Sequence, residues 1–142
     1  IATGGRPAVP AIPGAEHGIT SDGFFELADR PQRVAVVGSG YIAVELAGVF
    51  AALGSEVTMV LRRDRVLRSF EAMLGTGLRK IMEDDGVAFL EHAVPQALER
   101  ARLAVPAAAV AGSEGAVVVP VPPVAREEEH DELDGVLAAF FL

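Results

Sequence analysis

From Val34 to Ala43 the chain reads Val34-Ala-Val-Val-Gly-Ser-Gly-Tyr-Ile-Ala43. A β-branched run empties into a glycine turn, and an amphipathic stretch begins at once. Such a run suits a buried parallel strand, and Ile42, Leu46, Val49, Phe50 and Leu53 recur after it at helical spacing. Ala43 and Ala47 stand one turn apart and leave a flat stripe on which the helix can lie against a sheet. Gly54 is positioned as a helix C-terminal cap, and Glu56 to Leu61 reads as the second strand. Strand, tight turn, helix and strand in this order form a βαβ unit, and such a unit implies parallel pairing.

The turn carries chemistry as well as geometry. Gly38 permits the sharp bend, Gly40 lets backbone approach a pyrophosphate, and Ala43 fills the third position, where a small residue allows the helix to pack closely on the strand. Ser39, Tyr41 and Ile42 complete the turn and open the helix. Its unpaired N–H groups and the positive end of its macrodipole make an anion site. On the glycines alone, a turn with no ligand would read the same way; the flanking strand and helix favour a dinucleotide.

The tip of the second strand carries the choice of cofactor. It reads Val60-Leu61-Arg62-Arg63, with Arg65 and Arg68 close behind. No carboxylate stands ready for ribose hydroxyls, whereas guanidinium groups can grip a 2′-phosphate through paired hydrogen bonds. Arg62, Arg63 and Arg68 are therefore the expected phosphate ligands, and NADP the expected cofactor. The alternative is a solvated basic loop. On a chain of net charge −8, positive charge gathered at this one place speaks against it.

The same acidity argues against general nucleic-acid binding, since one small basic cluster is no groove-tracking stripe. No stretch approaches the roughly 18 uninterrupted apolar residues of a membrane span, and Pro106, Pro120, Pro122 and Pro123 break the richest run. The 142 residues suffice for one domain with one core. With no cysteine there is neither a disulfide scaffold nor a redox dithiol in this chain. No signal sequence or initiator methionine opens it, so Ile1 is expected to mark a cut inside a longer polypeptide, with a cytoplasmic setting as the default.

Gly4, Gly5, Pro7, Pro10, Pro13 and Gly14 make the first stretch a connecting segment. Thr20 to Leu27 reads as a short helix, capped by Ser21 or Asp22, with Phe24, Phe25 and Leu27 on its apolar side. Phe70 to Asp84 is helical through Met73, Leu74, Leu78, Ile81 and Met82, despite costs at Gly75 and Gly77, and Gly86 ends it before a third parallel strand, Val87 to Leu90. Beyond Ala93 the pattern weakens. Val105 to Ala111 and Ala116 to Val121 suggest an antiparallel meander turning at Gly112 to Gly115, with the later prolines favouring an edge. Arg126 to Glu132 reads as a solvated charge run, and Gly135 to Leu142 as a last strand of the parallel sheet. The expected fold is α/β, a Rossmann-like doubly wound parallel sheet with helices on both faces plus a small antiparallel β-meander.

Four separated stretches, Ile1-Ala-Thr-Gly-Gly-Arg-Pro7, Gly18-Ile-Thr-Ser-Asp-Gly-Phe-Phe25, Gly38-Ser-Gly-Tyr-Ile-Ala-Val-Glu-Leu-Ala-Gly48 and Leu61-Arg-Arg-Asp-Arg-Val-Leu-Arg-Ser-Phe70, resemble the central NADPH domain of glutathione-disulfide reductases, members of the class I pyridine nucleotide-disulfide oxidoreductases. The resemblance covers roughly the first hundred residues, in the family's order. It implies an NADPH-binding domain over residues 1–142, entered from an absent FAD domain through 1–17 and beginning its return at 134–142. It departs from the family where the chain ends Ala-Ala-Phe-Phe-Leu142 instead of an Ile-Gly-Arg.

By the same resemblance Arg62 and Arg63 match the pair that holds the 2′-phosphate, and Arg68 a further ligand. Tyr41 matches a gate over the flavin. Glu45 matches an acid that contacts nicotinamide and pairs with a lysine beside the flavin, a lysine this chain lacks. Without the resemblance, Tyr41 is an exposed aromatic and Glu45 a helix-surface glutamate. The implied parent is a homodimer that passes a hydride from NADPH to FAD and electrons onward to glutathione disulfide. Its redox cysteines and acid–base histidine have no counterpart here, for His17, His92 and His130 have neither nucleophile nor metal spacing. This chain is expected to bind NADPH and not to reduce disulfides alone. Two alternatives stand beside this reading: another flavoprotein disulfide reductase or NAD(P)H oxidase, or a stand-alone NADP-binding sensor module.

Overall fold

The computed structural model describes residues 1–100, 116–121 and 137–141. A 3-10 turn, Ala15–His17, leads into β1 (Ile19–Thr20) and α1 (Ser21–Phe24); then come β2 (Arg33–Val37), α2 (Tyr41–Ala52), β3 (Glu56–Val60), α3 (Ala72–Asp84), β4 (Ala88–Leu90), β5 (Val94–Arg100), β6 (Ala116–Val121) and β7 (Leu137–Phe141). Five strands form a parallel sheet in the order β1-β7-β2-β3-β4. The βαβ unit is therefore present as β2-α2-β3, in register from Arg33 opposite Glu56 to Val37 opposite Val60. The expected last strand lies beside β2, Arg33 opposite Leu137.

Alternation along β2 and β3 divides the core between the faces of the sheet. Val34, Val36, Val57 and Met59, with Leu61 just past β3, join one buried cluster. Ala35 and Val60 join another, with Val37 packed against it. Ala43, Ala47 and Phe50 of α2 and Met82 of α3 cover the first face, with Phe24 of α1 packed edge-to-face on Phe50 at 5.1 Å. Ala43 and Ala47 are fully buried, as their expected contact with the sheet requires. The apolar set of α2 is narrower than its spacing suggests, because Val49 and Leu53 lie exposed while the alanines take the sheet contact. On α3 likewise, Met73, Leu74 and Ile81 are exposed and Met82 is buried.

Both helices end as their glycines imply. After α2, Gly54 N–H donates to Ala51 and Ser55 N–H to Phe50; after α3, Gly86 N–H donates to Glu83 and Val87 N–H to Met82. This is the Schellman pairing that satisfies terminal carbonyls. Ser55 Oγ, buried, also donates to the Pro31 carbonyl at 2.6 Å, tying the approach of β2 to the start of β3.

Two expectations are corrected. All three α-helices contribute to the first cluster, whereas the second face is covered by Ile12 of the entering segment and by Ala93 and Leu98. Helices on both faces thus give way, among the described residues, to helices on one face and strand and loop on the other. Separately, β6 pairs with β5, and that pair is parallel, from Val94 opposite Ala116 to Arg100 opposite Val121. A register slip between Pro95 and Ala97 hides β5 in the sequence, since proline donates nothing to a ladder and the bulge breaks the period of two. Secondly, α1 begins after Thr20, whose side chain makes no capping bond, and the expected cap from Ser21 or Asp22 is not formed. The expected strand at Val105 to Ala111, its turn at Gly112 to Gly115 and the charge run at Arg126 to Glu132 lie outside the described residues.

Candidate functional site

Strand order reverses at β2, with β3 and β4 on one side and β7 on the other. Open parallel sheets leave a crevice at the carboxyl ends of strands at such a point. Here Gly38 to Gly40 follow β2, and Arg62 follows β3. Gly38 has φ 148°, a conformation open to glycine and strained for other residues, and its N–H donates to the Val60 carbonyl at 3.1 Å. Gly40 is the N-cap of α2, extended, and no side chain caps this helix or places a negative charge in its first turn. The Val44 N–H returns to the Gly40 carbonyl at 3.1 Å. The N–H groups at the start of α2 thus face the crevice with no acid on that turn to neutralise them.

A cleft of about 880 Å³ opens over this turn. Gly38, Ser39, Gly40, Tyr41, Ile42 and Arg62 line it, beside Val37 and Val60 at the ends of their strands. A β-carbon on Gly40 would meet no atom within 4 Å, so the space before the helix is open cleft and not protein. Of the residues singled out in the sequence, six are gathered here. Ala43 is fully buried beneath the helix and works by packing. Arg63 and Arg68 are exposed on the loop after β3, and Glu45 is exposed one turn into α2.

The loop from Arg62 to Phe70 is tied to the turn by backbone. Leu67 N–H donates to the Ser39 carbonyl at 2.7 Å, and the neighbouring Val66 is fully buried. At the root of the loop, Leu61 N–H donates to Leu90 and its carbonyl accepts from Ala93 N–H. Turn and loop, separate motifs in the sequence, are one site in the fold.

The cleft also holds residues that the sequence did not assign to a site: Arg6, Pro7, Ser21 and Asp22 from the entering segment and α1, and Ala93 to Pro95 at the head of β5. The entering segment has no periodic pattern, so nothing in it announced that it folds across the mouth of the cleft. Among the histidines, His17 lies 3.9 Å from Glu16 and His92 is exposed at a turn with φ 52°; His130 is outside the described residues.

The chain matches the model of the pyridine nucleotide-disulphide oxidoreductase family over residues 1–121. It is 56% identical over 88 residues to a glutathione reductase from Schizosaccharomyces pombe, covering 61% of this chain and 19% of that protein. A glutathione reductase from Yarrowia lipolytica is 50% identical over 102 residues, covering 60% of this chain and 22% of that one. The chain thus spans about a fifth of the length of these curated relatives. Among solved structures it resembles an HOCl-induced flavoprotein disulfide reductase from Escherichia coli (TM-score 0.62, 31% identity, 67% of this chain and 22% of that one). It also resembles a water-forming NADH oxidase from Lactobacillus brevis bound to NADH (0.63, 25%, 70% and 24%). An engineered form of that oxidase, described as an NADPH oxidase and bound to NADPH, is similar too (0.58, 30%, 65% and 22%); among its substitutions are two to arginine and two to alanine.

Proposed function

The chain belongs to the pyridine nucleotide-disulphide oxidoreductase family, and from that premise we propose that it is the NADPH-binding domain of an FAD-dependent glutathione-disulfide reductase, presenting nicotinamide for hydride transfer to flavin. The observation that carries this reading is that Arg62 lines the same cleft as the glycine turn, with no carboxylate at the tip of β3. Spacing supports it. The positions that received the first alanine and the two arginines in the NADPH-bound engineered oxidase stand at the same intervals as Ala43, Arg62 and Arg68. The identity to glutathione reductases favours glutathione disulfide as the parent protein's substrate.

The residues present fit the cofactor. The open space at Gly40 admits a pyrophosphate to the N–H groups of Tyr41 and Ile42, while Arg62, with Arg63 and Arg68 on the same loop, would hold the 2′-phosphate. Bound NADPH supplies the hydride. Tyr41, 58% exposed on the first turn of α2, would cover the flavin face until nicotinamide displaces it, and Glu45 would touch the nicotinamide from one turn further on. Residues 1–17 would bring the chain in from the FAD domain and 134–142 begin its return, with β7 lying within that last stretch. The parent protein would be a cytoplasmic homodimer that also supplies the redox cysteines and the acid–base histidine.

The likeness to an NADH oxidase and to a flavoprotein disulfide reductase favours a second reading, the same domain in a flavoenzyme with another acceptor. Parallel calorimetric titrations of the chain with NADP⁺ and NAD⁺ test the cofactor. A preference for NADP⁺ of about tenfold or more is expected from charge-assisted bonds to one phosphate, and equal affinity refutes it. The native gene product should be yellow and oxidise NADPH when given glutathione disulfide. Oxidation with oxygen or another disulfide alone would favour the second reading, and a small colourless product a sensor module.

A further inference from the structure

Arg79, in the middle of α3, touches no part of the cleft, yet it is the most heavily engaged charged side chain among the described residues. Its Nη1 donates to the backbone carbonyl of Asp64 at 3.0 Å, within the arginine loop. The same guanidinium pairs with Glu83 through Nε at 2.9 Å and with Glu91 beyond β4, and lies 5.0 Å above the ring of Phe89. Two carboxylates and an aromatic face therefore fix the guanidinium plane. The second proton of Nη1 goes to the loop that carries Arg62, Arg63 and Arg68.

One turn earlier the helix presses on the same loop. A β-carbon at Gly75 would stand 2.6 Å from the Val66 carbonyl oxygen and 3.0 Å from Arg65 Cγ. Only a residue without a side chain permits this approach, which accounts for a helix-interior glycine that propensity alone counts as a cost. Gly75 and Arg79 are i and i+4, on one stripe of α3. From the other side, Leu67 is bound to Ser39 with φ 51°, a backbone region unfavourable to leucine. The loop is thus pinned at Asp64, Val66 and Leu67, between the exposed arginines and not at them.

We infer that Arg79 is a positioning residue for cofactor choice: through the Asp64 carbonyl, and with the close approach at Gly75, it holds the arginine loop in the shape that recognises a 2′-phosphate. This rests on the NADP reading of the cleft. The physical reason is geometric. Guanidinium–phosphate bonds reward a preset direction, and a loop free to wander loses affinity for the group its tips grip while the backbone turn at Gly38 to Gly40 stays as it was.

The test is the ratio of NADP⁺ to NAD⁺ affinity in the full chain carrying Arg79→Gln, with Arg62→Ala and the double variant alongside. Arg79→Gln should lower NADP⁺ affinity about tenfold and leave NAD⁺ within about twofold, and in the Arg62→Ala background the same change should have little further effect. Arg79→Lys keeps the charge but cannot span Asp64, Glu83 and Glu91 together, so it should show most of the loss. Gly75→Ala, which displaces the loop from its other anchor, gives a second line if the Arg79 variants fail to fold by circular dichroism. An unchanged ratio in the folded variants, or an equal fall for both nucleotides, overturns the inference. If Arg62→Ala itself keeps a preference for NADP⁺, the phosphate reading of the cleft fails, and this inference with it.

Discussion

The glycine turn and the arginine loop meet where Leu67 bonds to Ser39, yet they are built in opposite ways. The turn is backbone, set between a strand and a helix whose Val34, Val36, Ala43 and Ala47 are all buried. The loop presents Arg62, Arg63 and Arg68 to solvent and is held by a few contacts behind them. The difference teaches a division of labour. In the proposed reading, what all dinucleotides share, the pyrophosphate, would face structure that cannot change without unsettling the core; what distinguishes one from another, the 2′-phosphate, would face side chains that can be exchanged at little cost to the fold.

Breaking the buried half should have the largest effect. Phe50→Ala, which empties the centre of the α2 contact, should cost about 3–5 kcal/mol in urea unfolding, and intact stability would show that the turn does not depend on the core. Gly38→Ala should destabilise by about 1–3 kcal/mol and weaken both nucleotides alike; a selective loss of NADP⁺ would blur the two halves. Arg62→Ala should leave the unfolding midpoint near its original value and lower NADP⁺ affinity about 10- to 100-fold, the worth of charge-assisted hydrogen bonds. The smallest effect is that of salt: raising ionic strength should weaken NADP⁺ binding more than NAD⁺ binding, because the exposed arginines are screened and backbone N–H groups far less so. Parallel salt dependence for the two nucleotides would remove the arginines from the account.

The same contrast explains what the sequence made legible. The β-branched run Val34 to Val37, the small residues Ala43 and Ala47 and the closing Gly54 and Gly86 each impose local geometry on their own backbone, so β2, α2, β3 and α3 could be read from the residues themselves, and Leu137–Phe141 joined the sheet as its apolar run suggests. The second face could not be read so well. It is covered by the aperiodic segment around Ile12 and by β5, where Pro95 and a register slip erase the alternation. Hence the helices expected on that face. At the site, Gly38, Ser39, Gly40, Tyr41, Ile42 and Arg62 were legible because a motif fixes them within one chain segment. Arg6, in a stretch without pattern, and Asp22, read only as a helix cap, line the cleft through tertiary folding. Arg79 was not singled out in the sequence; its bonds to Asp64 and Glu91 join segments that meet only in the fold.

The central claim, one cleft with a backbone half for the pyrophosphate and an arginine half for the 2′-phosphate, is tested most directly by mapping amide and guanidinium NMR shifts of the chain on adding NADP⁺ and NAD⁺ in turn. Both nucleotides should move the amides of Gly38 to Ile42, and only NADP⁺ should move Arg62 and its neighbours on the loop. Identical shifts with both nucleotides, or shifts centred away from the turn, would contradict it.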